Sequence, residues 1–161
     1  MVCPINNDVG GEVGLRIAIG SDHGGFHLKE HIKKYLEARD VEVLDFGTFT
    51  EASVDYPDIA EKVGRAVAAG EPKRGILICG TGIGISIAAN KIHGIRAALC
   101  ADVFSALMSR EHNDANILCL GERTLGVGHA EMIVDTWLHG VFQGGRHACR
   151  TEKITNLDKA R

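Results

Sequence analysis

The feature that most constrains the fold of this chain is a fivefold alternation of short apolar runs with segments of helical period. The apolar runs are residues 15–20, 41–46, 75–79, 95–100 and 117–120. Between them, apolar residues recur at spacings of three and four, as in amphipathic helices. Strand–helix alternation of this kind predicts an α/β domain, a doubly wound parallel sheet with helices on both faces.

The helical segments carry recognisable start and stop signals. In the first, Leu28, Ile32 and Leu36 form the apolar stripe, with Lys29 among the intervening polar positions. Pro57 suits the first turn of the second helix, and Asp102 is a candidate N-cap for the fourth. The glycine pair at 144–145 breaks the chain, and we expect a short terminal helix after it.

Composition limits the chain to one domain and excludes some functions. Its 161 residues are 45% hydrophobic, which suffices for one core, so we expect a single domain over 15–161 preceded by a loose extension, 1–14. The net charge of −3 argues against nucleic-acid binding, and no apolar run is long enough for a membrane span. Five cysteines without CxxC spacing favour a reducing compartment, the cytoplasm, over disulfides or a zinc site.

Glycine-rich and titratable residues follow three of the predicted strands. They are GSDHGG at 20–25, CGTGIG at 79–84 and GER at 121–123. Ligands of open parallel sheets bind beyond the carboxyl ends of the strands, where these segments meet. This edge of the sheet is therefore the candidate site.

The GTGIG loop at 80–84 opens a helix and suits an anion, because its glycines allow close approach to backbone N–H groups. No Lys-Ser/Thr follows, which excludes the nucleoside-triphosphate loop. A dinucleotide-binding loop is the alternative, with Asp102 as its ribose-binding acid, although Ile87 stands where the third glycine belongs. The loop can also be a plain strand-to-helix turn.

Three side chains beside this loop are candidates for chemistry. Cys79 ends the third strand, where a thiolate could be a base or nucleophile and a thiol could equally be inert. Asp22 and His23 could hold sugar hydroxyls or a phosphate, or Asp22 could merely cap a helix. The positions alone leave these alternatives open.

Two further segments carry functional side chains. If their segment is helical, Arg146 and Arg150 share a face and would bind a phosphate where the tail folds over the site; they could equally be a solvated charge cluster. His112, followed by Asn113, ends a helix that starts at the carboxyl edge, so it should lie far from Cys79 in its own chain. Either His112 caps a helix or it serves the site of a neighbouring subunit, which would predict a dimer.

Five segments in order resemble the family of B-type ribose-5-phosphate isomerases and galactose-6-phosphate isomerases. They are GSDHGG, DYP at 55–57, ILICGTGIGISIAANK, SREHNDANIL and GGRHACR. The similarity runs from about Leu15 to the C-terminus. It implies a Rossmann-like fold, no metal, no nucleotide cofactor, and a homodimer or dimer of dimers with shared active sites.

The resemblance also implies roles for individual residues. Cys79 would be the base that moves a proton between C-2 and C-1 of the open-chain sugar. Backbone N–H groups of the loop would stabilise the enediolate, at Gly80, Gly82 and Gly84. Thr81 and the partner's His112 would open the sugar ring.

The remaining implied residues bind the substrate. Hydroxyl groups would be held by Asp22, Tyr56 and Asn113. The phosphate would be bound by His23, Arg123, Arg146 and Arg150. The expected substrate is ribose-5-phosphate; six-carbon phosphosugars such as allose-6-phosphate or galactose-6-phosphate stay open, because an extra hydroxymethyl group changes only the depth of the pocket.

Overall fold

The computed structural model describes residues 14–159, in which five parallel strands form one sheet. The proposed extension over 1–14 therefore lies outside the described residues, apart from Gly14. The strands are β1 Arg16–Ser21, β2 Glu42–Asp45, β3 Arg74–Cys79, β4 Ala97–Leu99 and β5 Ile117–Gly121. Their order in the sheet is β2-β1-β3-β5-β4, all parallel. The predicted doubly wound, Rossmann-like fold is confirmed.

Six α-helices connect and follow the strands within this part of the chain. They are α1 Phe26–Glu37, α2 Tyr56–Ala68, α3 Ile83–Ala89, α4 Val103–Glu111, α5 Val127–His139 and α6 Arg146–Lys159. A single 3-10 turn, His23–Gly25, precedes α1. Among residues 14–159, no helix combines the length and the apolar character that crossing a membrane requires.

The core lies in two layers, because alternate strand residues point to opposite faces of the sheet. Ile76 and Ile78 of β3 face a layer built with α1 and α5. Leu77 and Cys79 face the layer of α2 and α3. The thiol of Cys79 is therefore directed toward the helix that its own loop begins.

Two expectations about the helices are wrong in detail. Lys29, counted among the polar positions of α1, is fully buried. The terminal helix α6 has 14 residues and is not short. Only His147 and Thr151 are buried on α6, so its apolar periodicity was too weak to indicate its length.

Candidate active site

The strand order reverses between β1 and β3, and the candidate residues that follow β1 and β3 lie at this point. β1 pairs with β2 on one side and with β3 on the other, and the chain crosses this point between β2 and β3. Ser21 at the end of β1 is in register with Ile78, and Cys79 is in register with Gly121 of β5. A crevice at such a switch point is the usual ligand site of an open α/β sheet.

Cys79 is buried, and its sulfur contacts the backbone of the glycine loop. The N–H of Gly82 donates a hydrogen bond to Cys79 Sγ over 3.1 Å. Gly82 has a φ of 76°, and a β-carbon there would lie 2.4 Å from Leu99 Cδ1. Only glycine fits this left-handed, crowded position, so the loop geometry that meets the sulfur is fixed by the sequence.

The sequence led us to expect that the N–H groups of the loop are free to bind an anion. Two of them instead have acceptors within the loop. Gly82 donates to the thiol, and the Ile83 N–H donates to Thr81 Oγ1 over 3.3 Å. Gly84 lies in the first turn of α3, where N–H groups have no acceptor within the helix. The loop thus uses two of its N–H groups on its own thiol and hydroxyl, and the first turn of α3 has further N–H groups without an acceptor in the helix.

Asp22 follows β1 and is buried at the same edge. Its side chain makes no capping hydrogen bond, and its Oδ1 has no hydrogen-bond partner among the described residues. Burial raises the pKa of Asp22, an effect only partly offset by His23, the Gly24 and Gly25 amides, and Arg123. A buried carboxylate with an unpaired oxygen is available to hydrogen-bond a hydroxyl group.

His23 and Tyr56 stand around this carboxylate and the loop. His23 Nδ1 lies 3.3 Å from both the N and the O of Val54, in the segment that leads to α2. Tyr56 is the first residue of α2 and is 39% exposed. A β-carbon at Gly84 would lie 2.7 Å from Tyr56 Cζ, so the phenol ring covers the glycine loop.

Arg123 completes the cluster from the third strand end. Its N–H donates to Gly80 O over 3.0 Å, and its Nε and Cζ lie 3.4 Å from the position of a β-carbon at Gly80. The preceding residue, Glu122, belongs to the GER segment predicted at this edge, but no individual role was predicted for it. Its N–H donates to Cys79 O over 3.0 Å, and its Oε2 accepts from Leu28 N over 2.8 Å.

A second cluster contains the remaining predicted residues together with His147. These are His112, Asn113, Arg146 and Arg150. The rings of His112 and His147 stack with centroids 4.1 Å apart and an interplanar angle of 8°. Arg146 Nε donates to His147 Nε2 over 3.3 Å, so that nitrogen acts as an acceptor. Burial, and then His112, Arg146 and Arg150, hold the pKa of His147 below its ordinary value.

This second cluster occupies the opposite edge of the sheet. Arg96, directly before β4, donates to the carbonyls of Asn113 and Asp114, and β4 begins in register with Ile117. The four steps of β3 from Gly75 to Cys79 alone separate the two edges by about 13 Å. The tail therefore does not fold over Cys79 of its own chain. It lies instead beside β4, where a groove of about 390 Å³ between α6 and β4 is lined in part by Asn113.

Asp102, which the dinucleotide-binding alternative requires as its ribose-binding acid, is hydrogen-bonded within its own helix. Both Asp102 carboxylate oxygens accept from Ser105, one from its N–H and one from its Oγ, each over 2.7 Å. Asp102 is the N-cap of α4, as predicted. Within residues 14–159, no group of three or more His, Cys, Asp or Glu side chains could hold a metal ion.

Fold and site together define a doubly wound α/β protein that brings a thiol, a buried carboxylate and an arginine to one edge of its sheet. The chain belongs to the Ribose/Galactose Isomerase family, whose model matches residues 17–154. The resemblance stated from the sequence segments is thereby confirmed.

Individual relatives are similar over nearly their whole length. Ribose-5-phosphate isomerase B of Escherichia coli is 53% identical over 146 residues, 91% of this chain and 98% of the relative. The structure of ribose-5-phosphate isomerase B from Clostridium thermocellum is 61% identical with a TM-score of 0.89, covering 90% of this chain and 98% of that one. A Mycoplasma genitalium ribose-5-phosphate isomerase B with bound ribulose-5-phosphate is 41% identical, with a TM-score of 0.87, over 91% and 97%.

Proposed function

We propose that this chain interconverts ribose-5-phosphate and ribulose-5-phosphate, with Cys79 as the base. The observation that carries the proposal is the buried sulfur at the end of β3, 3.1 Å from the Gly82 nitrogen at the switch point of the sheet. It agrees with the names of the relatives from Escherichia coli and Clostridium thermocellum, which are ribose-5-phosphate isomerases B.

The proposed reaction moves one proton between two carbons of the open-chain sugar. Cys79 removes the proton on C-2, and the electron pair of that bond forms the C1–C2 double bond as O-1 becomes an oxyanion. Return of the proton to C-1 and transfer of the O-2 proton to O-1 give the ketose, so no external oxidant or cofactor is consumed. Donors of the glycine loop at Gly80, Gly82 and Gly84 would stabilise the developing charge.

Side chains around the loop would bind the rest of the substrate. Thr81 and His112 would open the ring. Hydroxyl groups would be held by Asp22, Tyr56 and Asn113, and the phosphate by His23, Arg123, Arg146 and Arg150. Phosphate contacts remote from the reacting carbons supply binding energy that orients C-1 and C-2.

A homodimer with shared active sites is part of the proposal. His112, Asn113, Arg146 and Arg150 lie at the sheet edge away from Cys79, so these groups can meet a common substrate only if a second copy brings its own cluster to the first. A dimer of dimers would contain the same pair. The reducing cytoplasm suits an enzyme that depends on a free thiol.

The decisive experiment compares two cysteine variants of the purified protein. We expect wild type to form ribulose-5-phosphate from ribose-5-phosphate with EDTA present, and Cys79→Ala to lose about a thousandfold in kcat, because the base is gone. The matched control is Cys100→Ala. Burial raises the pKa of Cys100 to about 11, so this thiol is inert and its removal should leave kcat at the wild-type level.

Activity retained by Cys79→Ala would overturn its role as base. Turnover of allose-6-phosphate or galactose-6-phosphate by a wild type that ignores ribose-5-phosphate would move the substrate to the six-carbon sugars. Wild type without activity on any of the three would contradict the proposed isomerase.

A further inference from the structure

A fully buried lysine on α1 has no part in the proposed reaction. Lys29 Nζ lies 3.0 and 2.8 Å from the two carboxylate oxygens of Asp45 and 2.8 Å from Glu30 Oε1. It also lies 5.2 Å from the centroid of the Phe49 ring. Lysine is almost never fully buried unless it is paired, so the position depends on these partners.

Asp45, at the end of β2, is the centre of this cluster. It also accepts from Lys33 Nζ over 3.0 Å, and its Oδ1 accepts from the Gly47 N–H over 2.9 Å. Burial opposes ionisation of Asp45, but the hydrogen bonds from Lys29, Gly47 and Lys33 outweigh it and lower its pKa. The lowered pKa favours the ionised carboxylate, which accepts a hydrogen bond from the backbone of the loop that follows β2.

That loop is bonded directly to the strand end that carries Asp22. Gly47 O accepts from Ser21 N over 2.7 Å, and Thr48 N donates to Ser21 O over 2.7 Å. Ser21 is followed at once by Asp22 and His23. The carboxylate of Asp45 is thus two hydrogen bonds from the backbone of the residue before the buried acid.

The far end of the same loop contacts the site as well. Val54 N and O both lie 3.3 Å from His23 Nδ1, and Tyr56 begins α2 two residues later. Residues 47–54 therefore touch the site at both ends. Cys79 belongs to β3 and to an apolar cluster in which no residue of 47–54 takes part.

We propose that Asp45, held by Lys29 and Lys33, is a positioning residue that fixes residues 47–54 against Ser21 and so sets Asp22, His23 and Tyr56 for substrate binding. This inference rests on the proposed isomerase function and adds to it a determinant of affinity outside the site. Because Cys79 stays in place, the loss of Asp45 acts on KM more than on kcat.

The test compares two substitutions at Asp45 with a control on α1, the helix that carries Lys29. Asp45→Ala removes the acceptor of the Gly47 N–H, and we expect KM for ribose-5-phosphate to rise about tenfold with a smaller fall in kcat. Asp45→Asn keeps an oxygen for that N–H and, combined with Lys29→Met so that no buried charge loses its partner, should stay close to the wild-type KM. Leu36→Ala is the control, because it destabilises the far end of α1 without touching the loop.

Hydrogen exchange of the backbone amides gives a readout that does not require turnover. In Asp45→Ala, the amides of Ser21, Gly47 and Thr48 should exchange faster while those of β3 and β5 keep the wild-type rate. If Asp45→Ala does not fold, Lys29→Met in the same chain removes the buried charge, and the double variant should show the same raised KM.

An unchanged KM in Asp45→Ala, or an equal rise in Leu36→Ala, would overturn the positioning role. Uniformly faster exchange over the whole chain would overturn it too, because that result indicates global destabilisation. Wild type without activity on ribose-5-phosphate would contradict the proposed function alone, and the exchange data would still decide the role of Asp45.

Discussion

Asp22 combines two properties that a side chain kept only for stability would not have. It is buried, and its Oδ1 has no partner among the residues that the structure describes. Leaving a carboxylate oxygen unpaired at a buried position lowers the stability of the folded state. The arrangement is understandable where the missing partner is a hydroxyl group of a substrate.

We expect Asp22→Asn to stabilise the protein at neutral pH and to impair it as an enzyme. Burial raises the pKa of Asp22, so the ionised form destabilises the folded state at pH values above that raised pKa. The neutral amide avoids this penalty, whereas kcat/KM should fall by about tenfold or more through loss of a charged hydrogen bond.

Thermal melting at several pH values checks the sign of this effect. The Tm advantage of Asp22→Asn should be complete at pH 7. It should shrink as the pH falls from the raised pKa toward the ordinary value of 3.8, because wild-type Asp22 becomes protonated over that window. A variant less stable than wild type at pH 7 would contradict this account.

Residues of the site differ in how visible they were in the sequence. The placement of Cys79, Asp22 and Arg123 at one edge could be predicted because each ends or follows an apolar strand, and strand ends meet at one edge of a parallel sheet. The burial of Lys29, outside the site, could not be predicted. Helical periodicity does not reveal that Asp45, on a different element, provides a buried counter-charge.

Strand positions followed closely from the sequence because the central strands are buried on both faces. β3 and β5 begin and end within one residue of the apolar runs that predicted them. The run over 95–100 gives only the three-residue strand β4, which lies at the edge of the sheet and pairs on one side only. An edge strand has only one neighbouring strand to pair with, so the length of its apolar run overestimates the length of the strand.

The N-terminus of α1 depends on a residue that is far away in sequence. Gly25 is its N-cap and has no side chain to offer, whereas Glu122 Oε2 accepts from Leu28 N over 2.8 Å. The acidic group satisfies one unpaired N–H and complements the positive end of the helix. The loop after β5 is thereby tied to α1, beside Arg123.

We expect Glu122→Ala to lower the free energy of unfolding by about 1 kcal/mol, as removal of a helix cap does. Glu122→Gln is the matched control, because its amide oxygen can still accept from Leu28 and should restore most of the loss. Urea unfolding of the two variants gives the comparison. Equal stability of Glu122→Ala and wild type would exclude the capping role.

At the scale of the whole molecule, the residues proposed for the site lie in two separate clusters of one chain. The carboxyl edge has the thiol, the glycine loop and Arg123, and the opposite edge has His112 beside His147 and Arg146. Ile83, Ile87 and Phe104 are exposed by 53%, 57% and 71% on α3 and α4. Large apolar side chains left uncovered near the first cluster are suited to contact with a second copy.

The activity of mixed dimers distinguishes an active site shared between two subunits from an active site built within one chain. Cys79→Ala and His112→Ala are each expected to be inactive alone. A dimer with one copy of each, purified through two different tags, has one site where wild-type Cys79 meets wild-type His112, so we expect about half of the wild-type activity. The control joins wild type with the double variant Cys79→Ala, His112→Ala; in a shared arrangement each of its two sites lacks one group, so it should be inactive. The opposite pattern, an inactive first dimer and a half-active second, would mean that each chain builds its site alone.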